Sequence, residues 1–178
     1  AYFLLKENKK TVLIVGGSLG ARTINEAIEA NLENLKKENI QLLWQTGKNY
    51  NGEFGEFEWG TRTAFIKRMD MAYKVADVVI SRAGAMSVSE LSALGKATIF
   101  VPSPFVSEDH QTKNAMSLVH KNAALLCKDA EAKEKLGVEV IALLNDTAQV
   151  AALEQEIKKL GLPLASQNIV NEIVADLG

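Results

Sequence analysis

Cysteine is almost missing from these 178 residues: Cys127 stands alone. No disulfide framework can form, and a reducing cytoplasm is the expected setting. Cys127 closes the run Ala123-Ala124-Leu125-Leu126-Cys127, which reads as a strand with a buried thiol. Histidine is nearly as scarce, at His110 and His120, and no Asp-x-Asp pair or His/Cys cluster has metal-ligand spacing. An intrinsic metal site is therefore not expected, nor any other cofactor. Neither charge dominates, with 20 Lys and Arg against 22 Asp and Glu and a formal net charge of −2. Such a balance argues against a nucleic-acid partner. No apolar run approaches the ~20 residues that a membrane helix needs, so no transmembrane segment is expected. The N-terminus (Ala1 to Leu5, then Lys6, Lys9 and Lys10) lacks the order of a signal peptide. Starting without Met, residues 1–10 read as a linker remnant from something longer.

What is present is an ordinary globular composition, 47% apolar and 24% charged, long enough for one well-cored domain. Thr11-Val12-Leu13-Ile14-Val15 is β-branched and apolar, then stops at glycines, the mark of a strand covered on both faces. Arg22 to Lys36 follows with Ile24, Ile28, Leu32 and Leu35 on one helical face. Further strands are expected at Ile40–Trp44, Thr61–Ile66, Asp77–Ile80, Ala97–Val101 and Ala124–Cys127. Helices are expected at Met69–Val75, Ala85–Leu94 (ending at Gly95) and His110–Lys121. Residues 47–60 read as a loop. The segment from Ala130 onward reads as helices broken near Gly137, Asn145 and Gly161-Leu162-Pro163. Strand and helix alternate, which predicts an α/β fold: one Rossmann-like, doubly wound parallel sheet of about six strands with helices on both faces. Ligands then sit beyond the carboxyl ends of the strands.

Two strand-to-helix corners carry the chemistry. At Ser81-Arg82-Ala83-Gly84-Ala85-Met86-Ser87-Val88-Ser89-Glu90, small residues open a helix whose first N–H groups suit an anion such as a pyrophosphate. Glu90, about a turn further in, could accept hydrogen bonds from the vicinal hydroxyls of a ribose. The competing reading is a capping box between Ser87 and Glu90. The other corner, Gly16-Gly17-Ser18-Leu19-Gly20-Ala21-Arg22, lacks the Lys-Ser/Thr of a P-loop and the glycine spacing of a dinucleotide fingerprint. It offers an anion-accepting helix start with Ser18 as hydroxyl donor, or simply Ser18 as a helix cap. The same residues match a G-x-S-x-G nucleophile elbow, but a hydrolase of that kind needs strands and an oxyanion loop upstream. At the same edge Gln111 and Asn114 share a helical face and could grip sugar hydroxyls, with Asp109 as the alternative cap of a solvated turn.

Taken in register, these pieces resemble the C-terminal, donor-binding half of a GT-B glycosyltransferase, in particular the bacterial peptidoglycan N-acetylglucosaminyltransferases. The likeness rests on Gly16 to Arg22, Phe65-Ile66 with Met69, Arg82 to Glu90, and His110-Gln111 with Asn114-Ala115. It runs from about Thr11 to Ala124 and more loosely to the end. The resemblance implies a UDP-N-acetylglucosamine site. The diphosphate would lie against the helix start at Ala85, Met86 and Ser87 with Ser18 opposite, and Gly17, Gly84, Val88 and Ser89 would also belong to the donor-binding set. The Ile66 backbone would pair with the uracil edge, Glu90 would hold the ribose hydroxyls, and Gln111 and Asn114 the sugar. It also implies inversion at the anomeric carbon and no catalytic residue within this chain. The lipid-linked muramyl-pentapeptide acceptor would be held by an N-terminal domain. Residues 11–164 would form the nucleotide-sugar domain, and the final helix in residues 165–178 would pack on that other domain. The full-length protein would be peripheral on the cytoplasmic face of the inner membrane. Another UDP-sugar transferase, a UDP-N-acetylglucosamine 2-epimerase half and a non-catalytic nucleotide-binding module stand as alternatives.

Overall fold

Residues Thr11–Val15 form β1, and every one of them is buried. Successive side chains leave a strand on opposite faces, so Val12 and Ile14 enter one core while Leu13 and Val15 enter another. That two-sided burial is why the run is apolar without alternation. A computed structural model, describing residues 2–51, 55–57 and 59–177, shows the rest of the chain wound about this strand.

In chain order the elements are β1, α1 (Arg22–Lys37), β2 (Gln41–Gln45), β3 (Gly55–Phe57), β4 (Gly60–Thr63), α2 (Met69–Val75) and β5 (Val78–Ser81). They continue with α3 (Ala85–Leu94), β6 (Thr98–Phe100), α4 (His110–Val119), β7 (Leu125–Leu126), α5 (Ala132–Asn145), α6 (Thr147–Lys159) and α7 (Ala165–Leu177). The sheet order is β3-β4-β2-β1-β5-β6-β7. All neighbouring pairs are parallel except β3 with β4. The chain therefore winds outward from β1 through β2 to β4, returns to β5 beside β1, and winds the other way. The reversal between β1 and β5 is the switch point at which such sheets open a crevice.

The parallel sheet and its two helical faces match expectation. One core sets Ile24, Ile28 and Leu35 of α1 and Leu136, Val140 and Leu143 of α5 against Val12, Ile14, Trp44 and Ile80. The other sets Tyr73, Leu91, Ala115 and Leu118 against Leu13, Leu43, Val79 and Phe100. Each large side chain so buried contributes roughly 1.5–3 kcal/mol, so trimming Leu13 or Ile80 to Ala costs about 2–5 kcal/mol. Helix α3 closes at Gly95, after which the Lys96 N–H returns to the Leu91 carbonyl at 3.1 Å. Among the described residues no single helix is long and apolar enough to cross a membrane.

Three readings need correction. The segment 47–60 is not all loop: Gly55–Phe57 pairs antiparallel with β4, while residues 52–54 and 58 lie outside the described residues. Residues 64–66 are not strand; β4 ends at Thr63 and Ile66 sits in the connection to α2. Gly137 does not break α5, which runs through it. A Cβ there would fall 2.3 Å from the Asn31 side chain, so the glycine lets α5 lie close on α1. Among its described residues helix α7 contributes none to either core, and Ile169, Val170, Ile173 and Val174 are all more than half exposed.

Candidate functional site

The glycine-rich turn begins where β1 ends. Gly17 and Gly20 take φ of +87° and +83°, and the Gly20 N–H donates to the Gly17 carbonyl at 3.1 Å. A Cβ on Gly20 would lie 1.9 Å from the Thr46 carbonyl oxygen, so this corner is seated hard against the end of β2. The turn leads into α1 through Ala21, with no side chain capping the helix. Ser18 is exposed and is not a cap. It is not a nucleophile elbow either. Its backbone is outside the left-handed region, His110 Nδ1 pairs with the Ser107 carbonyl at 2.7 Å, and His120 is exposed at the end of α4. Among the described residues no side-chain hydrogen bond joins Ser18 to the base that the elbow chemistry requires.

The second corner follows β5. Gly84 precedes α3 in an extended conformation, and again no side chain caps the helix. The capping box expected as an alternative is absent because α3 begins at Ala85, which places Ser87 inside the first turn. Glu90 instead accepts a hydrogen bond from the Tyr73 hydroxyl at 3.0 Å. Ala85, Met86, Ser89 and Glu90 are exposed, Met86 to 87%. Gly84, Ser87 and Val88 are half-buried, with Val88 packed on the core below. Both helices thus present N-termini whose first N–H groups no side chain satisfies, at the positive end of each dipole.

A hollow joins the glycine turn to the segment that leads into the second corner. A cavity of about 520 Å³ is lined by Gly16, Gly20 and Ala21 from the first and Arg82 from the second, with Phe105 and Gln111 across from them. A larger hollow of about 720 Å³ lies beside it, sharing Gly20, Arg22 and Glu26. Glu29 and Tyr50 line it, while Arg22 and Glu26, paired with each other at 2.6 Å, line both hollows.

The two amides at the cleft edge are already engaged. Gln111 Oε1 accepts from the Ser103 N–H at 3.0 Å, and Asn114 Nδ2 donates to the Ala83 carbonyl at 3.1 Å. Asn114 therefore braces the corner before α3. Asp109 lies before α4 with φ of +52°, but its carboxylate accepts from the Thr112 hydroxyl rather than capping the helix backbone. Ile66 is only 2% exposed, and its N–H donates to Gln45 Oε1 at 2.8 Å. Gln45 Nε2 in turn donates to the Gly17 carbonyl at 3.1 Å. Just beyond, Arg68 pairs with Asp70 at the start of α2, and this hydrogen bond holds the Asp70 carboxyl down at about 2.

Four residues here escaped sequence reasoning: Gln45, Tyr73, Arg82 as a brace, and Asp129. Arg82 Nη1 donates to the Val101 and Pro102 carbonyls and to Asp129 Oδ1, while Asp129 Oδ2 accepts from the Thr23 hydroxyl. A polar Gln at the end of an apolar strand was the available signal for Gln45; the others depend on tertiary placement. Among the described residues no group of three or more His, Cys, Asp or Glu could hold a metal.

A sheet wound both ways from β1, with two uncapped helix starts over its switch point, is the architecture of one half of a GT-B glycosyltransferase. The crystal structure of Acinetobacter baumannii MurG superposes with a TM-score of 0.78 at 30% identity, covering 96% of this chain and 51% of that one. The calicheamicin glycosyltransferase CalG4, at 14% identity and a TM-score of 0.68, shares the fold over 97% of this chain and 45% of its own. The model of the glycosyltransferase family 28 C-terminal domain matches residues 11–169, and the chain belongs to that family. It is 48% identical over 176 residues to the UDP-N-acetylglucosamine–N-acetylmuramyl-(pentapeptide) pyrophosphoryl-undecaprenol N-acetylglucosamine transferase of Flavobacterium psychrophilum, covering 97% of this chain and 48% of that protein. It is 49% identical over 174 residues to the enzyme of the same name from Christiangramia forsetii, with the same coverage of each. The chain spans about half the length of these curated relatives.

Proposed function

We propose that this chain is the donor-binding half of an inverting N-acetylglucosaminyltransferase that builds the lipid-linked precursor of peptidoglycan. The observation that carries the reading is the pair of uncapped helix starts at one edge of the sheet, joined by the hollow that Gly16, Gly20 and Arg82 line, with Glu90 one turn inside the second helix. In this reading the diphosphate of UDP-N-acetylglucosamine lies between Gly17-Ser18 and the Gly84–Ser89 corner. Ser18 donates its hydroxyl, and Ala85, Met86 and Ser87 donate backbone N–H groups. Glu90 accepts from the ribose hydroxyls, and the Ile66 backbone meets the uracil edge through its carbonyl, its N–H being held by Gln45. Gln111 keeps its Nε2 for the sugar and Asn114 its Oδ1, each having one amide atom tied to the protein.

The reaction that follows is a displacement at C1. A hydroxyl of the acceptor forms the new C1–O bond as the C1–O bond to the diphosphate breaks, inverting the anomeric centre. The departing UDP gains negative charge where the α3 N-terminus points, so N–H donors and helix dipole favour departure. The base that takes the acceptor proton, and the site for the lipid-linked muramyl pentapeptide, are assigned to the half of the relatives' length that this chain does not span. The exposed apolar face of α7 would pack against that half, and the assembled protein would work at the cytoplasmic membrane surface.

Calorimetric titration with UDP-N-acetylglucosamine, UDP and ADP tests the reading. Preference for the uridine ligands over ADP, with affinity for UDP itself weakened about tenfold or more by Glu90→Ala, supports it, the size being that of a lost charge-assisted hydrogen bond. Equal binding of all three nucleotides, or none, contradicts it.

A further inference from the structure

Tyr73 lies on α2, 5% exposed, and its hydroxyl reaches across to α3, donating to Glu90 Oε2 at 3.0 Å. Burial and the neighbouring Glu90 carboxylate push the phenol pKa up, so the hydroxyl stays protonated and a donor throughout the physiological range. Glu90 itself is exposed. A free glutamate on a helix surface samples many rotamers, and glutamate is among the side chains with the most rotamer freedom to lose on binding. A carboxylate with one oxygen held is already oriented, leaving Oε1 and the remaining lone pairs for a ligand.

Helix α2 has a second connection to the site. Ile66, the residue proposed to meet the base, lies three residues before its start, and Ile66, Met69 and Tyr73 belong to the same core. One short element therefore supports both base and sugar contacts.

We infer that Tyr73 is a positioning residue that sets the Glu90 carboxylate for a vicinal diol, so that the site discriminates ribonucleotides from deoxyribonucleotides. The inference rests on the proposed role of Glu90, and its test separates the two. Binding of UDP and of 2′-deoxy-UDP is measured by calorimetry for the 178-residue chain and for Tyr73→Phe, Glu90→Ala and the double variant. Phe keeps the buried ring and removes only the hydroxyl, and thermal unfolding confirms that each variant is folded.

The parent chain should prefer UDP about tenfold, the size of one hydrogen bond to a charged group. Tyr73→Phe should reduce that preference to about twofold or less, weakening UDP binding clearly more than that of 2′-deoxy-UDP, which makes only the 3′-hydroxyl contact. In the Glu90→Ala background the same substitution should have no further effect, the signature of two residues acting as one unit. Equal loss of affinity for both ligands in Tyr73→Phe marks a merely structural hydroxyl and overturns the inference. So does an unchanged preference in Tyr73→Phe when Glu90→Ala abolishes it, an outcome that leaves the Glu90 role standing. If Glu90→Ala keeps the full preference, the ribose assignment fails, and failure of the parent chain to bind UDP defeats the nucleotide reading itself. A folding defect in Tyr73→Phe moves the decision to Glu90→Gln, which keeps an acceptor for Tyr73. Retention of most of the diol preference there supports the inference, and complete loss contradicts it.

Discussion

The Ile66 amide and the Gln45 side chain are joined by a buried hydrogen bond of 2.8 Å, and through it the segment proposed to meet the base is tied to the strand beneath the glycine turn. Gln45 completes the link by donating to the Gly17 carbonyl at 3.1 Å. Substituting Gln45→Leu keeps the side-chain bulk but strands the Ile66 N–H in an apolar setting. An unsatisfied buried donor costs on the order of 1–3 kcal/mol, so urea denaturation should show about 2 kcal/mol of lost stability. A loss below about 0.5 kcal/mol would show that the bridge is dispensable.

The glycines of the turn should not be equivalent. A Cβ on Gly17 meets nothing within 4 Å, so Gly17→Ala carries only the strain of a left-handed backbone, about 1–2 kcal/mol. A Cβ on Gly20 would lie 1.9 Å from the Thr46 oxygen, and Gly20→Ala must displace the turn from β2. Denaturation should rank Gly20→Ala as the more harmful, at about 4 kcal/mol or beyond. The reverse ranking would contradict the packing described.

Arg82 and Asp129 are 14% and 13% exposed, and they pin the α3 corner to the segment before α5. Breaking a buried pair on one side costs about 3–5 kcal/mol. Arg82 retains the Val101 and Pro102 carbonyls, so Asp129→Ala should cost somewhat less, about 2–3 kcal/mol. Asp129→Asn, which still accepts a hydrogen bond from Arg82, should recover part of this in the same denaturation experiment.

Cys127 gives a pH signature. Burial, reinforced by the nearby Glu139 carboxylate, pushes its thiol up to about 12 from an ordinary value of 9.0. The folded state thus favours the protonated thiol. Its contribution to stability is complete below about pH 9 and is lost as pH rises toward 12. A disulfide reagent at pH 8 should leave the native chain unmodified and react once urea unfolds it. Cys127→Ala should flatten the decline in stability above pH 9. Rapid labelling of the native chain would contradict both expectations.

Much of this fold was legible because parallel strands buried on both faces leave a plain mark: Thr11–Val15 and Val78–Ser81 are short apolar runs that end at small residues. The strand Gly55–Phe57 was not, since three residues are too short a run to display an alternating pattern. Gly137 looked like a helix breaker because the Asn31 side chain that it accommodates is over a hundred residues away in sequence. In the site, the two corners could be read from small residues between strand and helix. Ser87-x-x-Glu90 suggested a cap only because the sequence does not give the helix start to within a residue. Tyr73, Gln45 and the Arg82–Asp129 brace arise where separate segments meet, and nothing local signals them.

The central claim is that the glycine turn and the α3 corner together hold one UDP-sugar. A crystal structure of the chain with UDP-N-acetylglucosamine tests it most directly. The account predicts the diphosphate against the N–H groups of Ala85 to Ser87 with the Ser18 hydroxyl opposite, and both ribose hydroxyls on Glu90. Nucleotide seated instead in the hollow lined by Glu26, Glu29 and Tyr50, with the cleft between the corners empty, would contradict it.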